Sequence, residues 1–438
     1  MLKRLLLVSL LALIVVVSFG EKVVITYANW NLGLELEQKM VDEFMKANPD
    51  IVVKPAENID YGKYIDSLNA AAAAGELPDV IMIPNIPMAL TNEWALNIKK
   101  FVDNDLEWYN IPAPLREATK YGNGVYAVPA GMYFMGYFVN DDLFEKFNIT
   151  KLPFAPVWPR FMAAVRALTN VQEKSLGLSE EVQIPEWYPA SINKNLGWFT
   201  WDGKKYHLSE REFITAVKIA KQLFQNKYVF DSLSADEKKM LNAGWYGEAW
   251  DQGEIAIRWS GTWDINNFRN LKFKTRFIGV PGERTPVVGD FMIISSSTKH
   301  AEAAYKFLRY ITFAREGMLK RLEIDDKNQW VSLPLTTEKA ILERYFIQKD
   351  VYPGIREAYE TIDKGIIEGV KVVPGYVESR WTAPTGIKIG DKDNANIGDV
   401  IWNSMRGDLN IADYAAQLND LANKAYEKNY KVIESLIK

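Results

Sequence analysis

The sequence predicts an α/β protein of two domains, each a parallel-rich sheet flanked by helices. Three observations carry that expectation. The 438 residues exceed one ordinary domain and suit two. Residues 22–83 alternate strand, helix, strand, helix, strand. In Val125–Ile149 a Pro129/Gly131 break separates two apolar runs, and the turn Asn140-Asp141-Asp142 leads into a short amphipathic helix at Leu143, Phe144 and Phe147. The chain is expected to leave one domain for the other there, because Pro and Gly let few residues absorb a hinge's backbone change.

Taken in order, Lys3 and Arg4 precede the apolar run Leu5–Phe19, and Ser18 and Gly20 supply the small residues of a cleavage site. A secretory leader over residues 1–20 is expected, with a mature chain from Glu21 working in the periplasm or outside the cell. The run is short for a membrane span, and no cysteine follows that could carry a lipid anchor. Lys22–Ala28 is a strand followed by the loop Asn29-Trp30-Asn31. Leu36, Met40, Val41 and Phe44 recur at helical spacing until Asn48-Pro49-Asp50 stops them. Ile51–Val53 is a second strand. A helix through Tyr64, Ile65, Leu68 and Ala71 ends at Gly75, and a third strand, Val80–Ile83, ends at Pro84-Asn85. Such a right-handed parallel unit takes ligands at the carboxyl ends of its strands, the edge where Asn29, Trp30 and Asn85 lie.

Beyond the break, Trp158 opens a helix and is read as packing. Ile184–Lys205 reads as an aromatic loop, and Ser234–Glu237 as a capping box. Ile255, Ile257 and Trp259 alternate as a strand, Gly261-Thr262 turns, and Trp263 opens the next helix. Ala303, Ala304, Phe307, Leu308 and Ile311 mark a helix core, and helices Ile397–Met405 and Ile411–Ile437 close the chain.

Composition narrows the chemistry. Hydrophobic content of 48% with 25% charged residues is that of a soluble globular protein. A formal charge of −4 argues against nucleic acid, which needs concentrated Lys and Arg. The absence of Cys removes thiolate chemistry and disulfides, and with His207 and His300 alone a histidine-rich metal centre is not expected. Asp391-Lys392-Asp393-Asn394 is similar to the start of a calcium loop, but Ala395 and Asn396 stand where a ligand oxygen and a glycine are needed. A solvated turn is expected there, and no cofactor is implied. The fourteen Trp exceed what a core asks for and point to a ligand with flat apolar faces.

FMKANPDIVV (44–53), AAAAGELPDVIMI (71–83), NGVYAVPAGMYFMGYFVNDDLFEKF (123–147) and AWDQGEIAIRWSGTWDINNF (249–268) together resemble the extracellular solute-binding proteins of sugar ABC transporters, the maltose-binding-protein-like group. Val139-Asn140 departs from that group's Tyr-Asn, and Asn85-Ile86 stands where a charged residue is common. The resemblance implies a two-domain periplasmic-binding-protein fold with a multi-crossing hinge. One lobe would comprise 21–139 and 288–344, the other 140–287 and 345–438. It further implies a carbohydrate ligand held between the lobes, membrane permease subunits of an ABC transporter as partner, a monomer, and no catalysis. By the same resemblance Trp263 stacks on a sugar ring, and Asp290, within Val288–Phe291, is a cleft residue.

Sugars present hydroxyls and apolar ring faces, so their sites pair planar hydrogen-bonding groups with aromatic plates. The candidates are Asn29, Trp30, Asn85, Tyr133, Trp245, Trp263, Asp290 and Trp381. Trp245 and Trp381 either meet ligand or cap the inter-domain surface, whereas Trp250 and Trp259 fall at core phases. Two other readings stay open: a binder of peptides or polyamines, and an extracellular glycoside hydrolase with two carboxylates about 5–9.5 Å apart.

Overall fold

The computed structural model describes residues 21–437 apart from 327, 329 and 331, so the expected leader lies outside the described residues. Strands β1 (Val23–Ala28), β2 (Ile51–Pro55) and β3 (Val80–Ile83) pair in parallel, with β1 in the middle. Helices Glu35–Ala47 and Tyr64–Ala74 make the crossovers, and Gly75 ends the second at φ +71°, a conformation that glycine adopts without strain. All four residues of β3 are buried, as expected of a parallel strand covered on both faces.

A small hairpin, β4 (Lys120–Tyr121) and β5 (Gly124–Val125), precedes β6 (Val128–Asn140). The two runs expected on either side of Pro129 and Gly131 are one strand. The break survives only as a register shift between those two residues, because a local irregularity spares a proline the ladder bond it cannot donate. The first half of β6 pairs antiparallel with β9 (Pro286–Ile294). Its second half pairs with β7 (Ile257–Gly261) and β8 (Thr275–Phe277). The result is one mixed sheet, β2-β1-β3-β9-β6-β7, running through both lobes, with β10 (Ile366–Ile367) parallel to β9. The chain passes between the halves within β6 at Phe134/Met135 and again from β8 to β9; Tyr352 and Pro353 are back against β8, and a third passage, Ile366–Pro374, runs beside β9 and touches the first half. On this third passage the Lys371 carbonyl accepts from Ile86 N–H (2.9 Å), and the Val372 carbonyl accepts from the Tyr121 hydroxyl (2.5 Å).

Several local expectations change or hold for clear reasons. Ile184–Lys205 is no loop but a helix, Ile184–Ile192, followed by a 3-10 turn at Trp198–Thr200. Pro185 lies in the first turn, where its missing N–H costs nothing, and burial of Ile184, Trp187 and Ala190 outweighs Pro189 near the end. The Ser234/Glu237 capping box forms, and its hydrogen bonds lower the Glu237 carboxyl to about 2. Trp250 and Trp259 are core residues. Asp391 is in the exposed turn between β11 (Pro384–Ile389) and β12 (Lys392–Asn396).

Candidate functional site

On the first lobe, Asn29 and Asn85 follow β1 and β3 at their carboxyl ends, but their side chains are committed to the protein. The Asn29 amide donates to Tyr27 Oη (2.5 Å) and Glu37 Oε1 (3.2 Å), its oxygen accepts from Asn31 N–H (2.9 Å), and the residue is 1% exposed. Asn29 therefore shapes the loop through its amide, and it also lines the hollow of about 230 Å³ beside Tyr133. Asn85 caps helix Ile86–Thr91 by accepting from Met88 N–H (2.8 Å), which leaves its amide nitrogen as the free end. Trp30 is exposed, edge-on to Tyr64 at 5.7 Å, and Tyr61 stacks on Tyr64. The Tyr64 hydroxyl donates to Met82 O (2.8 Å), anchoring this aromatic group to the end of β3.

Three candidates meet at the junction of the lobes. Tyr133 on β6 meets Trp263 edge-on at 5.8 Å. Asp290 on β9 stands opposite Gly131, and it pairs with Lys371 of the third passage. A Cβ at Gly131 would lie 3.1 Å from the Asp290 carboxylate, so the strands approach closely at this point. Burial, with the charge of Asp290 added, pushes the Tyr133 phenol well above its usual range. A hollow of about 230 Å³ beside Tyr133 and Asn31 and one of about 310 Å³ beside Trp263 share Trp330 and Leu333 in their walls.

The second lobe carries the more open aromatic surface. Trp245 and Trp263 each lie with one ring face on a glycine, Gly247 and Gly261; a Cβ at either would come within 2.1–2.3 Å of the ring. Trp245 touches Tyr246 (5.2 Å), and burial raises the carboxyl of Glu180 to about 7, while hydrogen bonds from Gln183 and Tyr246 partly offset this. Gln183 in turn lines a hollow of about 190 Å³ with Trp381 and Trp402, 45% and 46% exposed.

Each of those two indoles is backed by an arginine held by a buried glutamate. The Arg380 guanidinium is 3.8 Å from the Trp381 ring centroid and donates to Glu186 (2.5 Å). Arg406 is 4.0 Å from Trp402 and donates to Glu181 (2.6 Å). One face of each plate is thereby fixed and the outer face left for a ligand. Two residues of this lining each carry a buried polar atom, Arg380 Nη1 and Gln183 Oε1, with no hydrogen-bond partner among the described residues. Buried polar atoms left without a partner are costly. Glu368, also lining the hollow, is pushed up to about 7 by burial.

Sequence reasoning missed Trp402, Glu180, Gln183 and Lys371. Trp402 was legible, since it falls off the buried stripe Ile397, Val400, Ile401 and Met405 of its helix. The others carry no local signal.

Comparison with known proteins agrees with this two-lobed geometry. Residues 30–318 match the family model described as bacterial extracellular solute-binding protein. A multiple sugar-binding protein of Streptococcus mutans is 24% identical over 333 residues, 70% of this chain and 75% of that protein. Among solved structures, an ABC substrate-binding protein of Listeria monocytogenes in complex with cycloalternan is similar at TM-score 0.66 and 20% identity, covering 92% of this chain and 98% of that one. The sugar-binding protein MalE of Xanthomonas citri gives TM-score 0.69 at 15% identity, with 94% and 99% covered. With the matched residues running from the loop after β1 through both halves of the sheet, the chain belongs to the bacterial extracellular solute-binding protein family.

Proposed function

We propose that this protein captures a sugar, an oligosaccharide, between its two lobes outside the cytoplasm and delivers it as a monomer to the permease of an ABC importer. The lobes would be 21–139 with 288–344, and 140–287 with 345–438. The observation that carries the reading is the pair of arginine-backed tryptophans, Trp381 and Trp402, which line one hollow of the second lobe and would supply that lobe's part of the site. Flat plates beside a buried donor and acceptor suit a pyranose ring, with its apolar face and equatorial hydroxyls. The arginines also bear on the alternative ligands. A guanidinium behind an indole opposes the ring's attraction for a second cation on the other face, which disfavours polyamines. A hollow of about 190 Å³ is below the ~300–1,000 Å³ of whole small-molecule sites, so it takes one ring of a longer ligand. The relatives named for sugars point the same way.

The test is calorimetric titration of the mature chain with oligosaccharides, peptides and polyamines, followed by analysis of the recovered ligand. Binding of an intact oligosaccharide supports the proposal. Binding of peptides or polyamines alone would sink the sugar assignment. Cleaved sugar would instead give the raised carboxyls of Glu180 and Glu368 a catalytic part.

A further inference from the structure

A further hollow, of about 610 Å³, is not among those assigned above. It lies on the other side of the third passage: Ile366, Ile367, Val372 and Val373 line it, whereas Glu368 and Val370 line the Trp381 hollow. Trp198 is a wall common to both, held by donating to Tyr376 Oη (2.8 Å), which in turn donates to Glu186 (2.9 Å). Segment 113–122 of the first lobe closes the rear hollow against residues 194–203 and the last helix.

Its lining has the makings of a binding site. Trp201 packs on Tyr426 at 4.4 Å, and Tyr426 stacks on Tyr430 at 5.5 Å, giving an aromatic wall with hydroxyl tips. Arg284 is fixed by donating to four backbone carbonyls, those of Lys364, Ala190, Lys194 and Leu196, at 2.6–3.2 Å. These bonds use Nε and Nη1, and Nη2 has no protein partner among the described residues. Among the described residues no carboxylate forms an ion pair with Arg284. Of the acids that line the hollow, Glu117 pairs with Lys120 (2.7 Å), Asp202 with His207 (2.7 Å), and Asp363 is solvent-exposed. A preorganised guanidinium without a counter-charge, beside aromatic plates, suits an anion attached to a ring. The volume is within the ~300–1,000 Å³ usual for small ligands.

We propose that this rear hollow is a second ligand site, for a small sugar carrying a carboxylate or a phosphate, whose anionic group meets Arg284 while its ring packs on Trp201 and Tyr426. A ligand there touches both lobes across the hinge, so its binding is linked reciprocally to capture in the front cleft.

The experiment is calorimetric titration of the mature chain with glucuronate, galacturonate and glucose 6-phosphate, with glucose as the neutral comparator. One or more of the acids should bind with 1:1 stoichiometry and glucose should not, and which anion binds identifies the source. Because Arg284 bonds four carbonyls and its loss could unfold the chain, the site is probed by Tyr430→Ala and by Ala118→Trp, which fills the hollow from the first lobe. Each should weaken binding about tenfold or more, the loss of one good contact. Trp381→Ala, whose side chain does not line the rear hollow, should leave it unchanged within about twofold. The proposal is overturned if no acid binds at millimolar concentration, if glucose binds equally, or if Trp381→Ala abolishes binding that Ala118→Trp leaves intact. A failure of front-cleft sugar binding would leave these outcomes readable.

Discussion

Replacing Trp381 by alanine tests the front cleft most directly. The inner face of this indole rests on the Arg380 guanidinium, and 45% of the residue is exposed. For a side chain burying up to ~250 Å², that leaves ~110 Å² for a ligand to cover. At ~25 cal/mol per Å² the stacked ring is worth about 3 kcal/mol at most, roughly a hundredfold in affinity. Trp381→Ala should therefore weaken the sugar identified by titration by one to two orders of magnitude, whereas Trp381→Phe, which keeps a smaller plate, should lose about tenfold or less. Calorimetric titration measures both, and a melting curve of each free variant checks folding, because Arg380 loses a cation–π contact of about 1–2 kcal/mol. A folded Trp381→Ala protein that binds the same sugar within about twofold of the parent would refute the stacking argument.

Three further outcomes are expected. Glu368 is raised by burial to about 7 from an ordinary value near ~4.3, so the folded state holds its proton where the unfolded chain has released it. Stability is then lost as pH rises from about 4.5 to 7, by a ceiling of about 3–4 kcal/mol, with Glu180 acting in the same direction. Glu368→Gln should lose less melting temperature between pH 5 and pH 8 than the parent, and parallel profiles would refute the assignment. Arg406→Ala leaves Glu181, 0% exposed, without its cation and should cost about 3–5 kcal/mol in urea unfolding. Gly354→Ala places a Cβ 1.9 Å from Phe277 O at φ +95° and should cost more than about 2 kcal/mol by thermal melting, whereas an unchanged midpoint would mean that the turn has room to move.

Periodicity and punctuation determined much about this protein from the sequence alone. The parallel unit of β1, β2 and β3, the stop at Gly75, the Ser234 cap and the core phases of Trp250 and Trp259 were all legible, because each depends on neighbours within a turn or a strand. The motif order likewise pointed to the family. Three things were decided only in the tertiary structure. Pro129 and Gly131 shift the register of one strand that pairs with different partners in its two halves, and strand pairing is a long-range property. Ile184–Ile192 became a helix because burial outweighed Pro189, Pro185 being harmless in the first turn. The Asn29 amide turned inward because Tyr27 and Glu37 offered partners for it, whereas Trp381 keeps an exposed face over Arg380, which a buried glutamate of another helix holds. Whether a side chain meets solvent, a ligand or another residue depends on what folds against it, and for these residues the deciding partners are on other elements of the chain.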